Sequence, residues 1–235
     1  HTRLQGDWSS DVCSSDLEGD VLISMENITG SNFNDTLIGN SADNVLNGGL
    51  GIDTVSYAAA SAGVTVNLGL STAQNTSAAG TDTLMSIENL IGSAFDDALS
   101  GSNGANLISG GLGNDRLNGG SDNDTLNGGD GSDMFRFDTP LSSTANRDII
   151  TDFNPSQDRI ELENSVFSAL AATGTLDNLA FTTGTQATTA QHRIIYNILT
   201  GVLIYDSNGS VSGGSTIFAE LTPGLALSAA HFIVT

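Results

Sequence analysis

Eight nine-residue blocks, all in phase, constrain this 235-residue chain more than any other feature. From Gly30 they read GSNFNDTLI, GNSADNVLN and GGLGIDTVS; from Gly92 they read GSAFDDALS, GSNGANLIS, GGLGNDRLN, GGSDNDTLN and GGDGSDMFR. The eighth position is apolar every time: Leu37, Leu46, Val55, Leu99, Ile108, Leu117, Leu126 and Phe135. The sixth is Asp or Asn every time: Asp35, Asn44, Asp53, Asp97, Asn106, Asp115, Asp124 and Asp133. Glycines in the first four positions permit positive φ and close backbone approach. Each block therefore reads as a tight turn followed by a three-residue strand whose middle side chain points inward. One apolar residue per unit cannot build a core alone, whereas stacked units can, which is the logic of a solenoid. A single Asp/Gly/Asn-rich stretch would read as a flexible linker; eight blocks without slippage and with an apolar column do not.

The two runs are copies of each other. Residues 24–55 aligned with 86–117, at an offset of 62, share 15 of 32 positions, and SMENITGSNFNDTLIG answers SIENLIGSAFDDALSG. Ile28 and Leu90 already sit in the phase of the eighth column, so the residues around them read as the first strand of each run. Glu26 and Glu88 beside them read as caps rather than catalytic acids.

Charge then asks for a counterion. There are 27 Asp and Glu against six bases, all Arg, giving a net charge of −21 in a chain only 14% charged. The absence of Lys and the acidic excess argue against a Lys-dependent phosphate loop, a nucleic-acid face and a polybasic membrane anchor. No apolar run approaches the roughly 20 residues that span a bilayer. If the sixth-position acids stack at the roughly 4.8 Å spacing of neighbouring strands, each pair repels by about 3.5 kcal/mol at an effective dielectric near 20. A divalent cation between them reverses that sign.

GGLGIDTVS, GGLGNDRLN and GGDGSDMFR resemble the GGxGxDxUx nonapeptide of hemolysin-type calcium-binding (RTX) proteins; GGSDNDTLN departs at its fourth position, where Asp122 replaces Gly. The resemblance implies an all-β fold, a right-handed parallel β-roll with two nonapeptides per turn, and calcium between turns stacked on one edge. It implies that residues 18 apart face one ion: Asp35 with Asp53, Asp97 with Asp115, and Asp115 with Asp133 on corresponding edges, with Asn106 and Asp124 opposite. The implied metal set is Asp35, Asp53, Asp97, Asn106, Asp115, Asp124 and Asp133, with backbone from Gly49, Gly51, Gly111, Gly113, Gly129 and Gly131. Calcium takes six to eight hard oxygens, so several Ca2+ ions are the expected cofactor, and their binding is coupled to folding.

The flanks divide the chain further. Residues 7–17, DWSSDVCSSDL, resemble one frame of a sequencing adapter and hold the only Trp and the only Cys; residues 1–17 are set aside as a non-native leader. The expected organisation is a first roll block over 18–56, a β spacer over 57–85 in which Val64, Val66 and Leu68 alternate, a second block over 86–138, and a C-terminal β domain over 139–235. In the last, residues 148–153 and 158–162 read as strands across a turn at Asn154-Pro155, 165–171 as a short helix, and 192–196 with 202–205 as a hairpin. Asp206-Ser-Asn-Gly reads as a turn, because an EF-hand loop needs its Gly sixth. RDIITDFNPSQDRIELENSVF and the ending AAHFIVT resemble the C-terminal domain of serralysin-like exoproteins, although His231 stands where an acid is usual. That resemblance implies export by a type I secretion apparatus, an extracellular location and a monomer without nucleic-acid or membrane partners. No HExxH or GxSxG is present, so no catalytic residue is assigned. The parent could be a secreted metalloprotease, lipase or polysaccharide-modifying enzyme, or an adhesin or surface-layer protein.

Overall fold

The computed structural model describes residues 3–5, 12–13, 21–23, 26–142, 144–170 and 172–235. Most of the segment 7–17 lies outside the described residues. The repeats form the short strands their pattern predicts, among them Thr36–Ile38, Val45–Asn47, Thr54–Ser56, Ala98–Ser100 and Arg116–Asn118. Every eighth-position residue is at most 1% exposed. Among the described residues helical structure is limited to three 3-10 turns.

The strands build two layers. One is a 12-stranded sheet; the other consists of a five-stranded and a seven-stranded sheet. Successive repeat strands alternate between the layers, and neighbours within a layer pair in parallel: Leu90 with Ile108, Ile108 with Leu126, Leu99 with Leu117, and Leu117 with Phe135. Each turn of the roll thus uses two nonapeptides. The buried side chains of both layers join one apolar cluster running from Ile28 to Val234. Full burial of each Leu or Ile contributes on the order of 1.5–3 kcal/mol, so stability accumulates rung by rung.

The segment between the two repeat runs is built into the same stack. Thr65–Asn67 pairs with Ala98–Ser100, while Thr81–Met85 pairs backwards with Val45–Asn47. The two half-layers meet at Gln74, whose side-chain amide accepts from the Asn67 N–H and donates to the Asn67 carbonyl. One side chain thereby supplies the pair of bonds that a neighbouring peptide would make. On the other layer Asn89–Ile91 pairs with both Thr54–Ser56 and Leu107–Leu112, so the 12-stranded sheet passes through the junction unbroken.

The C-terminal part also begins as more roll. Asp148–Ile150 pairs in parallel with Thr125–Asp130, and Arg159–Leu162 with Met134–Phe137. The two strands expected across the Asn154-Pro155 turn lie in opposite layers. Antiparallel pairing then extends the 12-stranded sheet: Val202–Asp206 joins Ser215–Glu220 on one side and Ile194–Tyr196 on the other, the latter being the expected hairpin, and Phe181–Thr183 pairs in parallel at the edge. Phe232–Val234 pairs in parallel with Arg159–Leu162, and Gly174–Thr175 pairs antiparallel beyond it at the end of the other layer. The short helix expected over 165–171 is not formed: its described residues make turns that drop Phe167 and Leu170 into the core. Seven residues are too few to meet the nucleation cost of a helix, and the Phe167 ring instead meets Tyr205 and Phe218 edge-on at 5.1 and 5.2 Å.

Candidate metal centre

The turns stack at the two edges of the roll. On the edge leading into the 12-stranded sheet lie Asp35, Asp53, Asn106 and Asp124; on the other lie Asn44, Asp97, Asp115 and Asp133. The runs equivalent by sequence are therefore half a turn out of phase, with Asn27–Thr29 and Asn89–Ile91 in opposite layers. Asp35/Asp53 shares its edge with Asn106/Asp124 rather than with Asp97/Asp115, because the segment after Ser56 visits the split layer twice before returning.

Each sixth-position side chain turns inward and is at most 5% exposed. In four of them Oδ1 accepts the backbone N–H of the sixth-position residue one turn earlier: Asp35 N–H to Asp53, Asp97 to Asp115, Asn106 to Asp124 and Asp115 to Asp133, at 2.8–2.9 Å, while Asp97 Oδ1 accepts from the Val64 N–H. The bonds continue beyond the repeats. Asp53 N–H donates to Glu88, Asp124 N–H to Asp148, Asp133 N–H to Asp158, and Asn44 N–H to Asp82. Glu88, the expected cap, fills the column at the junction. Asp82, Asp148 and Asp158 were not among the residues assigned from the sequence, yet each stands two before an inward apolar residue, Leu84, Ile150 and Ile160. That acid-x-apolar spacing is the sixth-to-eighth relation of the repeat and was available to find them.

Two observations show that these residues fit a cation. First, the second carboxylate oxygen of Asp53, Asp115, Asp124 and Asp133 is buried without a hydrogen-bond partner, as is Oδ1 of Asp35. A buried unpaired anionic oxygen is costly and is what a hard cation seeks. Second, the glycines form a cradle that any Cβ would fill. Gly49, Gly51, Gly111, Gly113, Gly129 and Gly131 all have positive φ. A Cβ on Gly129 would overlap the Gly111 carbonyl, and one on Gly131 the Gly113 carbonyl. Among the described residues no three His, Cys, Asp or Glu side chains converge on one point, so an ion held here would need backbone oxygens as well as carboxylates, a mixed oxygen set that calcium accepts.

Electrostatics point the same way. Burial, with neighbouring carboxylates adding to it, pushes Asp115 up to about 7 and Asp124 and Asp133 to about 6. Burial and the nearby Asp124 push Asp148 to about 8. Asp53, Asp82 and Asp158 are also raised, chiefly by burial. The column holds more negative charge than the fold accommodates alone.

Ion pairs lie outside these columns. Arg116 and Arg136 hold Glu161 on the outer face of the seven-stranded sheet, and Arg147 pairs with Glu220. Asp206 closes a turn by accepting from the N–H groups of Asn208 and Gly209, as its spacing predicts.

Residues 25–55, 86–117 and 100–135 match the model of the RTX calcium-binding nonapeptide repeat, in four copies. Those stretches of the chain carry repeats of the RTX nonapeptide type, and they lie within the roll described above. Among solved structures, the AlgE6R3 subunit from the Azotobacter vinelandii mannuronan C5-epimerase is similar at 27% identity and a TM-score of 0.33, over 59% of this chain and 78% of that one. The extracellular lipase LipA from Serratia marcescens is similar at 15% identity and a TM-score of 0.27, over 94% of this chain. The chain spans 41% of that lipase. No curated protein sequence matches it.

Proposed function

We propose that this chain is the calcium-loaded tail of a bacterial exoprotein, exported by a type I apparatus and folded by Ca2+ on arrival outside. The observation that carries the reading is the set of buried, unpartnered carboxylate oxygens facing glycine-lined turns. Asp53, Asp115, Asp124 and Asp133, with Asp35, Asp97 and Asn106 in the same columns, hold or orient the ions. Gly49, Gly51, Gly111, Gly113, Gly129 and Gly131 let backbone carbonyls approach. Bound calcium supplies the positive charge that lets stacked carboxylates share a buried edge. In a calcium-poor cytosol the acidic columns repel and the repeats stay threadable. Outside, where sites of about 0.1–1 mM affinity fill, binding free energy becomes folding free energy. The 139–235 region is assigned the export address, as the second resemblance implies, and the domain division given above goes with this reading.

Titration of the whole chain with calcium, compared with Asp115→Asn/Asp133→Asn, tests the metal part. The account expects binding in the parent chain and loss of at least one ion in the variant; no binding in the parent would overturn it. A second reading, in which the roll itself contacts a polymer through exposed aromatics, draws support from Phe33 and Phe95, which are 44% and 45% exposed. Phe135 and Phe137 are buried and offer nothing to it.

A further inference from the structure

The described turns sort into two kinds by the residue at the second position of the block. Where that residue is Ser or Asn, its own N–H folds back onto the sixth-position side chain of the same turn. Ser31 does this to Asp35, Asn40 to Asn44, Ser93 to Asp97 and Ser102 to Asn106. The serine hydroxyls add a second bond in each case. Outside the repeats Asn154 does the same to Asp158.

Where the second residue is Gly, it takes positive φ, at Gly49, Gly111, Gly120 and Gly129. Its N–H then points elsewhere: that of Gly49 to the Asn47 side chain, that of Gly120 to Asn118, and that of Gly129 to Asp152. In these four turns Oδ2 of Asp53, Asp115, Asp124 and Asp133 is left bare, whereas in the Ser31 turn it is the other oxygen of Asp35, Oδ1, that lacks a partner while Oδ2 is covered. The left-handed conformation is open to Gly at no steric cost and closed to most other residues, so sequence at one position decides which way the amide faces.

We infer that the second position selects between two classes of turn: Gly-Gly turns that need a divalent cation, and Gly-Ser or Gly-Asn turns that cover one oxygen of their own sixth residue with their own N–H and fold without one. The departures from the nonapeptide pattern are then metal-independent rungs that bracket the metal-dependent ones. Among the described turns, the space flanked on both sides by Gly-Gly turns is that between 110–115 and 128–133, and it is assigned the tightest ion. This inference rests on the calcium reading above, and its test separates the two.

Ser93→Gly in the whole chain places a Gly-Gly turn over 110–115. Calcium titration by calorimetry should then show about one additional ion, or at least a tenfold tighter second site, while Ser93→Ala, which keeps the folded-back N–H, should match the parent. Hydrogen exchange in calcium-free buffer supplies an independent measurement: the Asp97 turn should stay more protected than the Asp115 turn. Unchanged calcium binding in Ser93→Gly, with the parent binding normally, would overturn this inference and leave the proposed function standing. A parent that binds no calcium would remove both.

Discussion

A sixth-position aspartate here has two oxygens with different partners. In all but Asp35 one is fixed by an N–H of the turn before it, and the other is either covered by its own turn, as in Asp97, or bare. Titration follows from that. Asp115 is near 7 in the fold against 3.8 in an unfolded chain, and Asp148 is near 8. A raised folded pKa favours the fold fully below the unfolded value and loses that contribution as pH climbs through the folded one. Calcium-stripped protein should therefore be most stable near pH 4 and weaken steadily to pH 8. Thermal melts in metal-free buffer check this, and greater stability at pH 8 than at pH 5 would contradict it. Calcium competes with the same protons, so its affinity should rise over that range. At the cradle, Gly129→Ala combines positive φ with overlap of the Gly111 carbonyl. It should destabilise the calcium form by about 1–3 kcal/mol, read as a lowered melting temperature in calcium.

At the level of the strand and turn, what the sequence revealed is what recurs. The eighth column was legible because a period of nine leaves one inward residue per strand, and Leu117 or Ile108 could be placed in the core from spacing alone. Leu117→Ala should accordingly cost about 2–5 kcal/mol, measured by denaturant unfolding of the calcium form. The sixth column was legible inside the blocks for the same reason. What stayed hidden lies where the period breaks. The half-turn offset between the two runs depends on how 57–85 is threaded, and nothing periodic announces that Gln74 substitutes for a peptide group. Asp148 and Asp158 kept the acid-x-apolar spacing but lost the glycines that frame it. Phe167 belongs to the aromatic cluster at the end of the roll, whose packing is tertiary and non-repeating. Gln74→Ala tests the junction: exchange protection should fall at Asn67 and Gln74 and remain intact around Asp115.

Across the molecule, the acidic excess and the fold are two sides of one arrangement. A stack with one buried apolar side chain per half-turn gains a modest amount at each rung, while each Gly-Gly turn adds a buried carboxylate oxygen without a partner. Extending the repeats strengthens the core and deepens the charge problem together, which is why the solenoid and the ion belong to the same account. The antiparallel cap of 194–220 and the aromatic end around Phe218 carry no such column, so the proposed reading expects them to hold their structure without calcium. The most direct measurement is far-UV circular dichroism with sedimentation velocity on the whole chain, in excess chelator and then in millimolar calcium at pH 7.5. The account predicts a chain in chelator that keeps its metal-independent parts but is expanded and poorer in β structure, and that becomes compact and β-rich with calcium; a chain equally compact and β-rich in both would contradict it.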